Sequence, residues 1–184
     1  VMMPMRDGVR LATHIYRPKT SDGEPVPTIF VKTPYNMNLW GDGEMRAWQL
    51  RRPLEAVRRG YAYVNQNERG KFFSEGEWDI LGPPKTDGYD ALTWIADQPW
   101  CDGNVGMIGI SWGGFNGLQV AARQPPALKA IISLCSTDDR YADDIHAMGG
   151  CLLTEKMTWG ASMLSRYTTP PDPALVGERW REMW

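Results

Sequence analysis

The stretch "VGMIGISWGGF", Val105 to Phe115, constrains this chain more than any other. An apolar run ends on a serine, and glycines stand on both sides of it. "NVGMIGI" reads as a buried strand and "GGFNGLQVAARQ" as a helix that stops before Pro125-Pro126. A strand that turns straight into a helix crowds its own backbone at the corner. Gly109 and Gly113 remove the side chains that would collide there. Ser111 is then expected to stand at the corner with its hydroxyl above the carboxyl end of the strand. Parallel sheets bind ligands at that end, and the first backbone N–H groups of the following helix point to the same place.

The flanking sequence supplies the rest of such a sheet. "VRLATHIYRP" alternates with period two, placing Val9, Leu11, Thr13 and Ile15 on one side. "TIFVKTPY" reads as the next strand, antiparallel to the first, after a turn at Asp22-Gly23. "PLEAVRRG" reads as a short helix with Pro53 in its first turn and Gly60 at its end. "YAYVNQ" is a strand. "KTDGYDALTWIADQPW" is a helix capped by Thr86, with Asp87 and Asp90 at the positive end of its dipole. Its inward stripe is Tyr89, Leu92, Ile95 and Ala96. "LKAIISLC" is one more apolar strand. Strand and helix thus alternate, which predicts an α/β fold with a mostly parallel sheet covered on both faces.

After Cys135 the character changes. "STDDRYADDIHAMGG" is acidic, and "PPDP" interrupts a Trp- and Met-rich segment with helical character on both sides. The pattern places a boundary near residue 138, with a separate helical region after it. Net charge is -2, which gives no broad basic field for nucleic acid or an anionic membrane. No apolar run is long enough to span a bilayer. The three cysteines, Cys101, Cys135 and Cys151, have neither metal-ligand nor disulfide-framework spacing and are expected to be small buried side chains. The chain begins at Val1 rather than at a methionine, so the lack of a leader pattern says little about compartment. The compartment stays open, with a slight lean to the cytoplasm.

Gly109-Ile110-Ser111-Trp112-Gly113 matches the G-x-S-x-G nucleophile elbow. The five residues alone are a weak signal, and their strand–turn–helix setting strengthens it. Several longer stretches in the same order then resemble one family. "MRDGVRLATHIYRP", "KTPYN", "RGYAYVNQNERGKFFSEGEWD" and "DGYDALTWIADQPWCDGNVGMIGISWGGF" are similar to segments of the Xaa-Pro dipeptidyl-peptidase and cocaine-esterase (CocE/NonD) group of α/β-hydrolases. That group includes glutaryl acylases and α-amino acid ester hydrolases.

The resemblance implies an α/β-hydrolase fold with an N-terminal antiparallel hairpin, followed by the start of a helical cap. It implies roles as well. Ser111 would be the nucleophile that forms an acyl-enzyme. The Trp112 backbone N–H and the Tyr35 phenol would bind the oxyanion. Asp144 is the best match, after a one-residue gap, to the acidic residue that holds a substrate amine in the α-amino acid ester hydrolases. Read by themselves, Asp138, Asp139, Asp143 and Asp144 fit a solvated loop equally well. Arg69-Gly70 and the turn Ser74 to Glu77 fit a structural loop. No cofactor or metal is implied. The expected substrate is a small ester or amide, or a short peptide. Some members of the group are oligomers, but nothing in this sequence marks such a surface.

A serine nucleophile needs a histidine and an orienting acid, which in α/β-hydrolases follow it in chain order. His146 is the single histidine after Ser111, and its setting resembles the start of the cap. His14 lies on the first strand. Residues 1–138 are therefore expected to be the N-terminal part of a hydrolase domain and 139–184 the start of its cap. The triad acid, its histidine and a C-terminal jelly roll would lie outside this chain. By itself the piece is expected to hydrolyse esters poorly or not at all. A non-catalytic α/β binding or assembly module is the alternative. A dinucleotide-binding fold fits worse, because "GISWGG" lacks the G-x-G-x-x-G spacing.

Overall fold

The computed structural model describes residues 1–19, 23–35, 37, 44–79, 86–168 and 173–183, without the side chains of 44–49, 166, 167, 174 and 175. The chain divides into two units, Val1–Ser136 and Thr137–Trp184.

The first unit is built on a six-stranded sheet. Its strands are β1 (Met2–Pro4), β2 (Arg10–Tyr16), β3 (Val26–Thr33), β4 (Ala62–Asn67), β5 (Cys101–Ile110) and β6 (Leu128–Leu134), in the spatial order β1-β2-β4-β3-β5-β6. β1 and β2 form an antiparallel hairpin, and β2 runs antiparallel to β4. β3, β4, β5 and β6 are parallel. Three helices connect them: α1 (Glu44–Arg58), α2 (Asp87–Ala96) and α3 (Trp112–Ala121).

The strand order decides where the helices go. From β3 the chain steps one way to β4, then back past β3 to β5. Right-handed crossovers put α1 on one face of the sheet and α2 and α3 on the other. α1 packs on β4 and β2, while α2 and α3 pack on β5. The reversal lies between β3 and β5, whose carboxyl ends flank a topological switch point.

The core lies mainly beneath α2 and α3. Phe30, Val64, Ala91, Leu92, Ile95, Val105 and Met107 cluster there, joined by Met3, Met5 and Leu11 from the hairpin. All of these but Met5 and Met107 are wholly buried, and Phe30, Val64, Leu92, Ile95 and Val105 are each worth roughly 2 kcal/mol of transfer free energy.

Several expectations are corrected. β2 and β3 are not paired, because β4 lies between them. The wholly buried Phe30 and Val64 face each other across β3 and β4, whereas β2 carries the half-exposed His14, Ile15 and Tyr16 and suits an outer position. α1 begins well before Pro53, which sits inside the helix and is buried. Its missing N–H removes one helical bond without ending the helix. The buried stripe of α2 runs through Asp87, Gly88, Ala91, Leu92 and Ile95, not Tyr89 and Ala96. Thr86 precedes α2 but makes no side-chain cap; its hydroxyl lies 3.4 Å from Asp90 Oδ2 instead. Helices lie on both faces of the sheet as expected, while Ile110, Ile132 and Leu134 are 49%, 55% and 41% exposed within residues 1–184. Cys101 is buried, but Cys135 and Cys151 are exposed. Asp22 of the expected turn, and Pro170 to Asp172 of "PPDP", lie outside the described residues.

In the second unit, three two-residue strands form an antiparallel meander: β7 (Asp143–Asp144), β8 (Ala147–Met148) and β9 (Cys151–Leu152). The acidic stretch is thus not plain loop. The helices α4 (Glu155–Tyr167), α5 (Pro173–Val176) and α6 (Trp180–Met183) follow, the last two joined by a 3-10 turn. No described helix is long and apolar enough to cross a membrane.

Candidate active site

Ser111 occupies the corner between β5 and α3 with φ +55° and ψ -115°. A non-glycine residue in that region carries strain of order 1–3 kcal/mol, which only a rigid surrounding sustains. The surrounding is visible. A Cβ added to Gly109 would lie 2.1 Å from the Gly113 carbonyl carbon, so the strand has no room for a side chain there; at Gly113, against expectation, a Cβ would meet only the Lys32 carbonyl oxygen at an ordinary 3.5 Å. The Ser111 N–H donates to the Leu134 carbonyl of β6 at 2.7 Å, and its own carbonyl accepts from the Phe115 N–H at 3.0 Å. Its side chain does not cap α3. The hydroxyl is therefore not spent on the helix it begins, and the amide of Trp112 opens that helix beside it.

Tyr35 follows β3 by two residues, as Ser111 follows β5 by one. The two strands are parallel neighbours, so both residues leave the same end of the sheet at its switch point. The Tyr35 N–H donates to Thr33 Oγ1 at 3.1 Å, and its carbonyl accepts from Asn67 Nδ2 at 2.7 Å. Asn67 is wholly buried and also donates to the Thr33 carbonyl, at 3.3 Å. The backbone of the Thr33–Tyr35 corner is thereby pinned, while the Tyr35 side chain is 36% exposed.

The Arg69–Trp78 loop borders this end. Gly70, at φ +67°, lets it double back so tightly that a Cβ would fall 2.2 Å from the Trp78 nitrogen. Arg69 donates through Nε and Nη2 to both oxygens of Asp87, at 2.9 and 2.6 Å, and its Nη1 lies 2.9 Å from Asp7 Oδ2. These bonds raise the Arg69 pKa and, with a bond from the Val9 N–H, lower that of Asp7. Ser74 Oγ accepts from the Ala12 N–H and donates to the Asn67 carbonyl. The Trp78 and Trp112 rings lie 5.3 Å apart, with the Lys71 ammonium 4.3 Å from the Trp78 ring centre. Desolvation lowers the Lys71 pKa.

The remaining expected residues lie elsewhere. His14 pairs with Asn65 across β2 and β4, edge-on to Tyr16 at 6.4 Å. Asp144 sits on β7, 8% exposed, and its Oδ2 accepts from the His146 N–H at 3.3 Å. His146 Nδ1 meets Glu155 Oε2 at 2.8 Å, an imidazole–carboxylate pair within the second unit that the sequence reading did not foresee. The group of buried Lys32 with partly buried Glu68 and Asn116 beside the elbow was also missed. Its signal was a lysine inside an otherwise apolar strand, "TIFVKT". Among the described residues no cluster of three or more His, Cys, Asp or Glu could hold a metal ion.

Comparison with known proteins identifies the family and the fold. The sequence profile of the X-Pro dipeptidyl-peptidase (S15) family matches residues 7–184. Cocaine esterase of Rhodococcus sp. (strain MB1 Bresler) is 43% identical over 164 residues, which cover 88% of this chain and 27% of that protein. A putative serine esterase of Mycobacterium tuberculosis (strain CDC 1551 / Oshkosh) is 31% identical over 172 residues, covering 85% and 27%. The chain thus spans about a quarter of the length of these curated relatives. Among solved structures, a CocE/NonD family hydrolase from Staphylococcus aureus superposes with TM-score 0.71 at 25% identity, over 91% of this chain and 33% of that one. An α-amino acid ester hydrolase superposes with TM-score 0.67 at 29% identity, over 90% and 29%.

Proposed function

The chain belongs to the X-Pro dipeptidyl-peptidase (S15) family, and from that membership we propose that it carries the nucleophile and the oxyanion-binding half of a serine hydrolase. The reaction is cleavage of an ester or an amide, including a peptidyl bond. One observation carries the reading: Ser111 is held at φ +55° between a buried strand and a helix it does not cap. Cocaine esterase and putative Xaa-Pro dipeptidyl-peptidases among the relatives leave esterase, peptidase and acylase as forms of one chemistry.

In this scheme the Ser111 hydroxyl adds to the substrate carbonyl and gives up its proton to a base. The negative oxygen that results is met by the Trp112 N–H and the Tyr35 hydroxyl, a donor of this kind being worth about 3 kcal/mol. Collapse expels the alcohol or amine with a proton, leaving an acyl group on Ser111 that water then removes. The histidine and acid that handle the protons come from outside residues 1–184, and residues 139–184 begin a helical cap region. Asp144 receives the ammonium group of an amine-bearing substrate.

Treating the full polypeptide with a fluorophosphonate and locating the adduct by mass spectrometry tests the proposal. Label on Ser111, lost in Ser111→Ala, is the expected result. A folded full-length protein that takes no label sinks the proposal and favours a non-catalytic α/β module.

A further inference from the structure

Beside the Ser111 corner runs a line of polar side chains largely removed from water. Lys32 of β3 and Glu68, just after β4, are 5% and 12% exposed, with Lys32 Nζ 3.2 Å from Glu68 Oε2. Lys32 Nζ also donates to Gln66 Oε1 at 3.1 Å. Gln66 Nε2 donates to Thr13 Oγ1 at 3.2 Å, and that hydroxyl donates to the Leu11 carbonyl at 3.0 Å. On the other side, Glu68 Oε1 accepts from Asn116 Nδ2 of α3 at 2.7 Å. The same amide group donates to the Lys32 carbonyl at 3.2 Å. The Glu68 N–H donates to the Thr33 carbonyl at 2.9 Å.

Moving an ammonium and a carboxylate out of water is costly, and a well-packed apolar pair in their place is often as stable. Stability is therefore a poor reason for charges here. What they supply is direction. Glu68 is bonded through its backbone to the end of β3, from which Tyr35 departs. Through its side chain it is bonded to α3, from whose first end Ser111 departs.

We propose that Glu68 is a positioning residue that fixes the spacing between Tyr35 and Ser111, acting through Thr33 and Asn116. The inference rests on the serine-hydrolase reading of those two residues. It predicts a loss of rate rather than of substrate affinity, since displacement by about 1 Å at a reacting centre can cost on the order of 100-fold.

The test compares the full polypeptide with Glu68→Ala, Glu68→Gln and the double variant Lys32→Met with Glu68→Met. Measured are the thermal midpoint, kcat and KM on a p-nitrophenyl ester, and the rate of fluorophosphonate labelling, all well below the unfolding transition. Glu68→Ala should label and turn over about 30- to 100-fold more slowly, with KM within about 3-fold. Glu68→Gln keeps an oxygen for Asn116 and should recover at least about tenfold of that loss. The double variant should regain the midpoint and remain slow. Parental rates in the double variant, an unchanged rate in folded Glu68→Ala, or no recovery with Gln overturns the inference while leaving Ser111 as nucleophile. A folded parent that takes no label at Ser111 overturns both.

Discussion

Gly109 lies so close to the Gly113 backbone that the strand could carry no side chain at this junction. The Ser111 corner is thus held by an absence of atoms, and filling it is the most direct way to disturb it. Gly109→Ala would put a methyl group 2.1 Å from the Gly113 carbonyl carbon. Overpacking of this kind costs about 3 kcal/mol or more when the obstacle is backbone. Urea unfolding should show that loss. An unchanged midpoint would mean that the corner opens easily.

Arg69 offers a second test. Its guanidinium grips Asp87, whose side chain is 4% exposed, and reaches Asp7 as well. Arg69→Met would leave the Asp87 carboxylate buried and unpaired, at a cost of about 3–5 kcal/mol. Arg69→Lys should recover only part of this, because an ammonium cannot match the two-pronged contact. Chemical denaturation at neutral pH distinguishes the three proteins, and full recovery by lysine would refute the two-pronged account.

How much of this was legible beforehand depended on distance along the chain. The Ser111 corner was readable because its cause is local: glycines two residues to either side, an apolar run before and a helix pattern after. Lys32 and Glu68 meet only because β3 and β4 are in register, with Lys32 opposite Gln66 and Thr33 opposite Asn67, and Arg69 meets Asp87 only because the loop after β4 reaches the start of α2. No window of sequence contains that register. The misplaced β2–β3 pairing has the same origin, since β4 is inserted from some thirty residues downstream.

Two groups should make stability fall as the pH is lowered. Burial holds His14 below its ordinary 6.5. The folded form therefore resists protonation, so stability is complete above 6.5 and declines as pH falls through the folded value. Arg10 holds Glu75 below its ordinary 4.5, and that contribution disappears at lower pH. His14→Gln should flatten the urea midpoint between pH 7 and pH 5 and leave the lower stage intact. Glu75→Gln should leave the upper stage intact and reduce the lower one, to which Asp7 and Glu55 also contribute. Identical pH profiles for parent and variants would count against both assignments.

Asp144 can be tested by substrate choice. In the full polypeptide, esters with a free α-amine should be cleaved well and their N-acylated forms poorly. Asp144→Asn should bring the two together, a change of about tenfold or more in the ratio of kcat/KM values. A ratio that Asp144→Asn does not move would leave that carboxylate with its bond to the His146 amide alone.

The amide of Ser111 is held by the Leu134 carbonyl of β6, at 2.7 Å. β6 in turn keeps its register on β5, with Gly109 opposite Ser133 and Ile110 opposite Leu134. The posture of the serine is therefore coupled to the seating of a strand that joins the sheet after it. Whatever shifts β6 against β5 acts on the hydroxyl as a tuning peg acts on a string it never touches.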